Sequence, residues 1–244
     1  MKTYRSILVI LSLILVTISF SSCSNKTIDE QFKDDLTKGL SARWEISSKQ
    51  KDTVDLYEKC IEAEYDILSK YKEEAFEDKE LGELAKSYID ILEKSKQTLK
   101  YFNDDEKWVA NWDSIYKDRL EILFDLNDKL DLQFSKESDK EEFNGLLSEG
   151  QLVKDVRNFI NTTKFKKTKS DYGWNTYSAV VENTTDQNFS YFSFEIKLLD
   201  KDGVTIETQY ASTDNWNSGD KAKFYFETNS KFKTLKIEQC NYLL

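Results

Sequence analysis

Carboxylates are the side chains that offer this sequence acid–base chemistry in quantity. The chain has 45 Asp and Glu residues and no His, so it lacks the commonest general base and the commonest zinc ligand. Paired carboxylates hydrolyse glycosidic bonds, but among so many acids some pair falls at a suitable distance by chance. A Ser or Thr nucleophile would need a Lys in a strained, specific setting. The sequence therefore favours a non-enzyme, with a carboxylate-dependent hydrolase as the alternative.

The segment Asp200–Gly203 has the Asp-x-Asp-Gly order of a calcium-binding loop. With Gly203 at the sixth position of a twelve-residue loop, Leu198 is first and Gln209 last, where the loop needs a carboxylate and a bidentate Glu. The register fails, so we predict a hairpin turn with Gly203 at positive φ. The seven Gly residues form no phosphate loop ending in Gly-Lys-Ser/Thr. No cofactor and no metal site are predicted.

The most specific chemical signal is a cysteine at the end of an apolar run. A basic start, MKTYR, precedes an apolar segment over residues 7–20, and two serines stand directly before Cys23. This order is typical of an export signal cleaved before a cysteine. The Cys23 thiol would receive a diacylglyceryl group, and two acyl chains hold a protein durably on a bilayer. A spanning helix needs roughly 18 apolar residues, so an uncleaved anchor and a plain secretory signal are the weaker alternatives.

Charge and cysteine content restrict the partners and the core. The net charge is -10, and nucleic-acid affinity comes from Lys and Arg at phosphates, so we predict no nucleic-acid partner. Hydrophobic residues at 39% and aromatic residues at 14% predict a packed core. Cys60 and Cys240 are most simply buried thiols, although a disulfide between them stays open.

The periodicity over residues 28–160 is helical. Apolar residues recur at i, i+3 and i+4 in five stripes with polar breaks between them, which predicts an antiparallel bundle of five helices. The first helix is expected over about 29–47, where Gly39 marks close packing or a local break. The fourth is expected to be the longest, with Phe134 on its inner face and the next break at 135–139. The charged outer faces are solvated surfaces to which we assign no function.

After the helical stripes the period changes to two. Apolar and polar residues alternate strictly in four runs, over 192–198, 204–207, 221–227 and 235–238. Such runs predict half-buried strands, and their turn-rich spacing without helices between them is typical of an antiparallel sandwich. Residues 162–169 are expected to supply a first strand and the join to the bundle.

One of these runs carries a family motif. Residues 196–200, Ile-Lys-Leu-Leu-Asp, followed by Lys-Asp-Gly-Val, resemble the F-x-L-Y-D motif of FxLYD domains, with Ile196 and Leu199 at its two aromatic places. Asn183 and Ser218 fall where that family has a strand end and a later glycine turn. The resemblance covers roughly the last third of the chain. It implies an immunoglobulin-like sandwich of prokaryotic surface lipoproteins, with no established activity.

Aromatic residues near the strand ends are the candidate contact residues. Trp174, Tyr210 and Trp216, with Tyr172, stand in loop or strand-end positions. If exposed, their rings could form a platform for a sugar or a partner protein, because aromatic rings anchor interfaces. The competing interpretation is that these rings close the ends of the sandwich core.

We therefore expect an α+β fold of two modules, an N-terminal antiparallel helical bundle followed by a C-terminal antiparallel β-sandwich. The expected segments are a lipoprotein signal peptide over 1–22, a tether over 23–27, the bundle over 28–161 and the FxLYD-like sandwich over 162–244. The helical half, with Arg43-Trp44 and Trp112…Arg119, is similar to uncharacterised lipoproteins of low-GC Gram-positive bacteria.

The function expected from these features is binding rather than catalysis. The lipid on Cys23 would hold the chain on the outer face of the cytoplasmic membrane, with an envelope protein or a cell-wall component as partner. A carboxylate-dependent cell-wall hydrolase and a purely structural spacer are the alternatives, and the spacer needs no exposed aromatic cluster.

Overall fold

Five α-helices form the first half of the described chain. The computed structural model describes residues 26–48 and 53–244, so the predicted signal peptide, Cys23 and most of the tether lie outside the described residues. The helices are α1 (Ile28–Ser47), α2 (Val54–Leu68), α3 (Lys79–Thr98), α4 (Asp105–Leu130) and α5 (Glu137–Thr162). Short 3-10 helices, Ser69–Glu73 and Leu99–Tyr101, follow α2 and α3. Helices that follow one another along the chain pack together, most extensively α1 on α2, α3 on α4 and α4 on α5.

Side-chain caps set where these helices begin. The Thr27 hydroxyl accepts a hydrogen bond from the N–H of Glu30, and the Glu30 carboxylate accepts one from the N–H of Thr27, which is a capping box. Thr53, Asp78 and Asp104 accept N–H groups at the starts of α2, α3 and α4. Each cap satisfies a donor that the helix leaves unpaired and contributes about 1 kcal/mol.

The break between α4 and α5 lies earlier than the sequence predicts. α4 ends at Leu130 because Asp131 takes a left-handed backbone with φ 48°, and the chain then runs extended. Leu132 and Phe134 are buried while Gln133 between them is exposed. Phe134 stands four residues after Leu130, a spacing that also fits one face of a helix. It points inward as predicted, but it belongs to the extended segment and not to α4.

Gly39 lies in the bundle core without interrupting α1. A Cβ built at Gly39 would lie 3.5 Å from the Cα of Glu64 on α2, which is an ordinary contact distance. Gly39 therefore marks close helix packing rather than a break. Gly150 marks a closer approach, because a Cβ there would lie 2.7 Å from the main-chain oxygen of Leu120 where α5 crosses α4.

Six strands form the second half, and the predicted α+β architecture of a bundle followed by an antiparallel sandwich is confirmed. The strands are β1 (Lys166–Asp171), β2 (Trp174–Glu182), β3 (Phe189–Leu199), β4 (Thr205–Trp216), β5 (Lys221–Thr228) and β6 (Thr234–Leu243). They form two antiparallel sheets in the orders β1-β2-β5 and β4-β3-β6. Gly203 has φ 78° in the β3–β4 turn, as the hairpin prediction requires. The Asp200 carboxylate accepts two N–H groups of that turn.

The last turns of α5 belong to the core of the sandwich. The Phe159 side chain is 2% exposed, and its ring centroid lies 5.9 Å from that of Phe192 and 5.3 Å from that of Trp216. Val156 joins the same buried cluster. α5 ends at Thr162, one residue beyond the predicted boundary at 161, but the packing of its last turns makes the two modules share this helix.

Candidate binding site

Trp216, one of the predicted contact residues, is a core residue. Its side chain is 2% exposed, and its indole N–H donates a hydrogen bond of 2.9 Å to the main-chain oxygen of Asp220. Its ring packs between Phe159 and Phe189, at centroid distances of 5.3 and 5.8 Å. The prediction that Trp216 contacts a ligand is corrected by this burial, because the ring closes one end of the sandwich.

The other predicted aromatic residues are exposed but do not converge. Tyr172 is 99% exposed and Trp174 50% exposed at the β1–β2 turn, whereas Tyr210 is 58% exposed along β4 of the other sheet. Trp174 lies beside the end of β5 at Thr228, and Trp216 lies beyond the opposite end of that strand. The eight residues of β5 rise roughly 3.3 Å each, so the whole length of this strand separates Trp174 from Trp216. The predicted aromatic platform does not form within the described sandwich.

The structure instead gathers four rings at one end of the bundle. Trp108 and Trp112 stack with centroids 4.5 Å apart, and Tyr57 meets them edge-on at 5.7 and 5.2 Å. Phe102 contacts Trp108 at 5.1 Å. These separations are direct ring contacts, so the rings fill the space between them and leave no cage for a ligand. All four are partly buried and extend the core of the bundle.

A charged network crosses the bundle core. Glu64 is fully buried, and its carboxylate accepts hydrogen bonds from Arg119 Nη2 at 2.7 Å and from the Tyr88 hydroxyl at 3.0 Å. Arg43 Nη1 lies 3.6 Å from the same carboxylate. Burial alone would lower the pKa of Arg119, but Glu64 and Tyr88 outweigh it and raise that pKa. One carboxylate thus holds side chains from α1, α3 and α4 against α2.

The two described cysteines are inert thiols. Cys60 and Cys240 are both free and buried, which excludes the disulfide left open by the sequence. Burial raises the pKa of Cys60 and raises that of Cys240 to about 12. A thiol that stays protonated at neutral pH is a poor nucleophile and a poor metal ligand.

Some carboxylates of the described chain are paired with cations. Asp118 and Glu121, a closely placed pair, both bind Arg157. Burial raises the pKa of Asp155, although Gln151 donates a hydrogen bond of 2.9 Å to it. No group of three or more Cys, Asp or Glu residues is placed to hold a metal ion within the described ranges. No helix among them is both long enough and apolar enough to cross a membrane.

A groove of about 480 Å³ lies between the end of α5 and β2. One wall is the last turn of α5 with the segment that follows it, and the other is the C-terminal half of β2. The lining side chains include Asn158, Phe159, Thr163, Lys164, Lys166 and Val180. Its volume is within the range of small-ligand sites, roughly 300–1,000 Å³.

The β2 wall of the groove is an unpaired sheet edge. β1 pairs with β2 only as far as Ser178, which lies opposite Lys166. The N–H and C=O of Asn183 bond to the β4–β5 turn, on the β5 side. Because these groups alternate in direction along a strand, those of Val180 and Glu182 point away from β5 and into the groove. Neither residue has a sheet partner on that side among the described residues.

The opposite wall and the ends of the groove provide polar groups and charge. Thr163 is 8% exposed, and its hydroxyl makes no hydrogen bond within the described chain. Lys164 donates to a main-chain oxygen at the end of α5, and neither Lys164 nor Lys166 has a carboxylate of the described chain within ion-pair distance. Glu182 at the other end is paired with Lys221 at 3.3 Å. The groove is therefore cationic at the end where β1 begins.

A smaller cleft of about 240 Å³ lies between α4, α5 and β6. Its charged groups already have partners: Lys117 binds Asp113 at 2.7 Å, and Glu238 binds Lys236 at 2.8 Å. Because its lining charges are already paired, this cleft has fewer charged groups free to bind a ligand than the groove beside β2.

Comparisons with known proteins add little to this geometry. No protein-family model and no curated protein matches the chain. One solved structure, IrmA from Escherichia coli, is 19% identical with a TM-score of 0.29, and the match covers 32% of this chain and 72% of that chain. A likeness of that size carries no inference about fold or function. The resemblance to FxLYD domains stays a prediction from the sequence.

Proposed function

We propose that this protein is a lipid-anchored binding protein of a bacterial envelope, and that it binds its partner in the groove between α5 and β2. The observation that supports binding is the open edge of β2, where Val180 and Glu182 present main-chain donors and acceptors to solvent. Proteins usually cover or shorten such an edge because it invites pairing with another chain. Here the edge lies inside a groove of about 480 Å³.

The proposed anchor is the lipid on Cys23. Support comes from the sequence, in which a basic start, an apolar run and two serines precede that cysteine. α1 begins at Ile28, five residues later, so a fully extended link would span about 18 Å at most. Such an anchor would hold the fold close to the outer face of the cytoplasmic membrane, with an FxLYD-like sandwich as the C-terminal module.

The anchor is tested by labelling cells with an alkyne-bearing fatty acid. We expect label on the wild-type protein, and none on a Cys23→Ser variant, which should accumulate as a slower-migrating precursor. A Cys23→Ser protein that is processed normally and released in full into the medium would contradict the anchor.

The groove is tested by photo-crosslinking in intact cells. A benzoylphenylalanine replaces Val180, which is 67% exposed in the groove, or Val204, which is 59% exposed in the β3–β4 turn and serves as the matched control. We expect a discrete crosslinked band from position 180 and none from position 204. Equal crosslinking from both positions, or none from either, would count against the groove as the binding site.

A further inference from the structure

We propose that the groove binds the C-terminal end of a peptide chain, which adds to β2 as an antiparallel strand and places its free carboxylate beside Lys164 and Lys166. This inference rests on the proposed function, because it names the ligand class of the same groove. Three features of the described residues carry it: the direction of the open edge, the way β1 blocks one end, and the unpaired positive charge there.

The direction of the added strand follows from the sheet. β2 runs from Trp174 to Glu182 and pairs antiparallel with both β1 and β5. A strand that continues this antiparallel pattern beside Val180 and Glu182 runs in the same direction as β1. Its first residue lies opposite Glu182, and its last residue lies opposite Val180.

The end of the strand meets the start of β1. Lys166 lies opposite Ser178, so β1 occupies the next places along the edge. Phe165, directly before β1, is 8% exposed and packs against Phe194 and Phe226 in the core. An added chain cannot continue past this point without displacing β1. The edge therefore accepts a strand that ends there, which is a C-terminus.

The main chain of such a peptide would satisfy the open edge. Residues opposite Val180 and Glu182 each exchange two hydrogen bonds with β2, which gives affinity independent of sequence. The residue between them lies opposite Val181 and shares its face, which is the face that packs toward Phe159. We therefore expect an apolar side chain at the penultimate position of the peptide.

The charge at this end suits a carboxylate. Lys164 and Lys166 both line the groove where the strand would end, and neither is paired with a carboxylate of the described chain. A free terminal carboxylate would supply the missing counter-charge, whereas a terminal carboxamide would not. We expect amidation of the peptide to weaken binding by about fivefold to tenfold.

The test uses the full chain purified in a mild detergent. The probes are an array of peptides of about ten residues that carry the C-terminal sequences of the host's exported proteins, each made with a free carboxyl end and with a carboxamide end. We expect a subset of the free-acid peptides to bind, with an apolar penultimate residue, and their amides to bind more weakly. The absence of any binding peptide, or equal binding of acids and amides, would overturn the proposal.

Variants locate the binding in the groove. A Lys164→Gln, Lys166→Gln protein should bind free-acid peptides as weakly as their amides, whereas Lys231→Gln, Lys233→Gln, which removes the same charge from an exposed loop, should bind like the wild type. Val180→Pro removes a groove-facing N–H that makes no β2–β5 bond and should abolish binding in a protein that far-ultraviolet circular dichroism shows to be folded. An equal loss in the control lysine variant would overturn the proposal.

The outcomes separate this inference from the proposed function. If position 180 gives crosslinks but no peptide of the array binds, a peptide C-terminus is rejected as the ligand and the groove remains a binding site. Loss of crosslinks from position 180 would reject the groove itself. The fatty-acid labelling is independent of both results.

Discussion

Replacement of Glu64 by Gln tests the charged network in the bundle core. The change keeps the size of the side chain but removes the carboxylate that Arg119, Tyr88 and Arg43 share. A neutral amide can still accept a hydrogen bond from Arg119, but it cannot balance the charge of a guanidinium. Two cations would then remain in and beside the core without their shared counter-charge.

The expected cost follows from the burial of each partner. Removal of one partner from a buried ion pair destabilises a protein by about 3–5 kcal/mol, because the other charge stays buried and uncompensated. The Arg119 side chain is 5% exposed and cannot reach water, whereas that of Arg43 is 15% exposed and can hydrate in part. We therefore expect a loss in the free energy of unfolding of about 3–4 kcal/mol. For a chain of this size, this loss lowers Tm by roughly 6–16 °C.

The measurement is urea unfolding followed by far-ultraviolet circular dichroism. Glu62→Gln is the matched control, since it makes the same substitution two residues away on α2. The Glu62 carboxylate is 42% exposed and pairs with Lys96 at 2.5 Å on the surface, so its loss should cost less than about 1 kcal/mol. If Glu64→Gln and Glu62→Gln unfold within about 1 kcal/mol of each other, the network does not stabilise the bundle and the reasoning is wrong.

Three further predictions concern glycines, thiols and pH. Gly39→Ala should raise the unfolding free energy by about 0.5–1 kcal/mol, since its Cβ fits and Ala favours helix. Gly150→Ala should lower it by about 1–3 kcal/mol, since its Cβ would meet a main-chain oxygen at 2.7 Å; equal shifts in Tm would contradict both. Cys60 and Cys240 should resist a thiol reagent in the native protein, and both should react in guanidinium chloride without reductant; fewer than two reactive thiols there would indicate a disulfide. Burial raises the pKa of Cys240 to about 12 and also raises that of Tyr88, so the unfolded chain loses these protons first. The contribution of these two groups to the free energy of unfolding should therefore be complete below about pH 8 and decrease as the pH rises above it. Denaturant unfolding in which the free energy of unfolding increased at high pH would refute this.

The sequence predicts the elements well because burial of one face leaves a periodic record. The five helical stripes correspond to α1–α5, and the runs over 192–198, 221–227 and 235–238 correspond to the buried faces of β3, β5 and β6. The run over 204–207 coincides with the start of β4, but its apolar residues Val204 and Ile206 are exposed, so the half-buried strand predicted there is wrong. The sequence pattern is ambiguous where the spacing of a helix face and the alternation of an extended segment bring the same residues inward. Leu130 and Phe134 are four residues apart, as on a helix, but Asp131 ends α4 and the burial of Phe134 comes from an extended segment.

The candidate site and the buried network leave a weaker trace in the sequence. A charged residue within an apolar stripe indicates an exposed face unless its partners are known, and Glu64 meets Arg119 only because α2 and α4 pack together. All six residues of β1 are exposed, so no alternation marks that strand or shows where its pairing with β2 stops. Trp216 is predicted to be a contact residue and is buried instead, because only the tertiary structure reveals that a residue at a strand end is buried.

The groove exists because α5 enters the sandwich. If residues 163–165 continued β1 in register, Lys164 would lie opposite Val180 and would close the edge of β2, since Lys166 lies opposite Ser178. Phe159 instead fixes the last turn of α5 in the sandwich core, and the chain must return from there to the sheet. It first pairs at Lys166, which leaves the end of β2 open. The open edge is thus a consequence of joining the bundle to the sandwich through one helix, and a sandwich without α5 would lack both the second wall of the groove and the reason for its open edge.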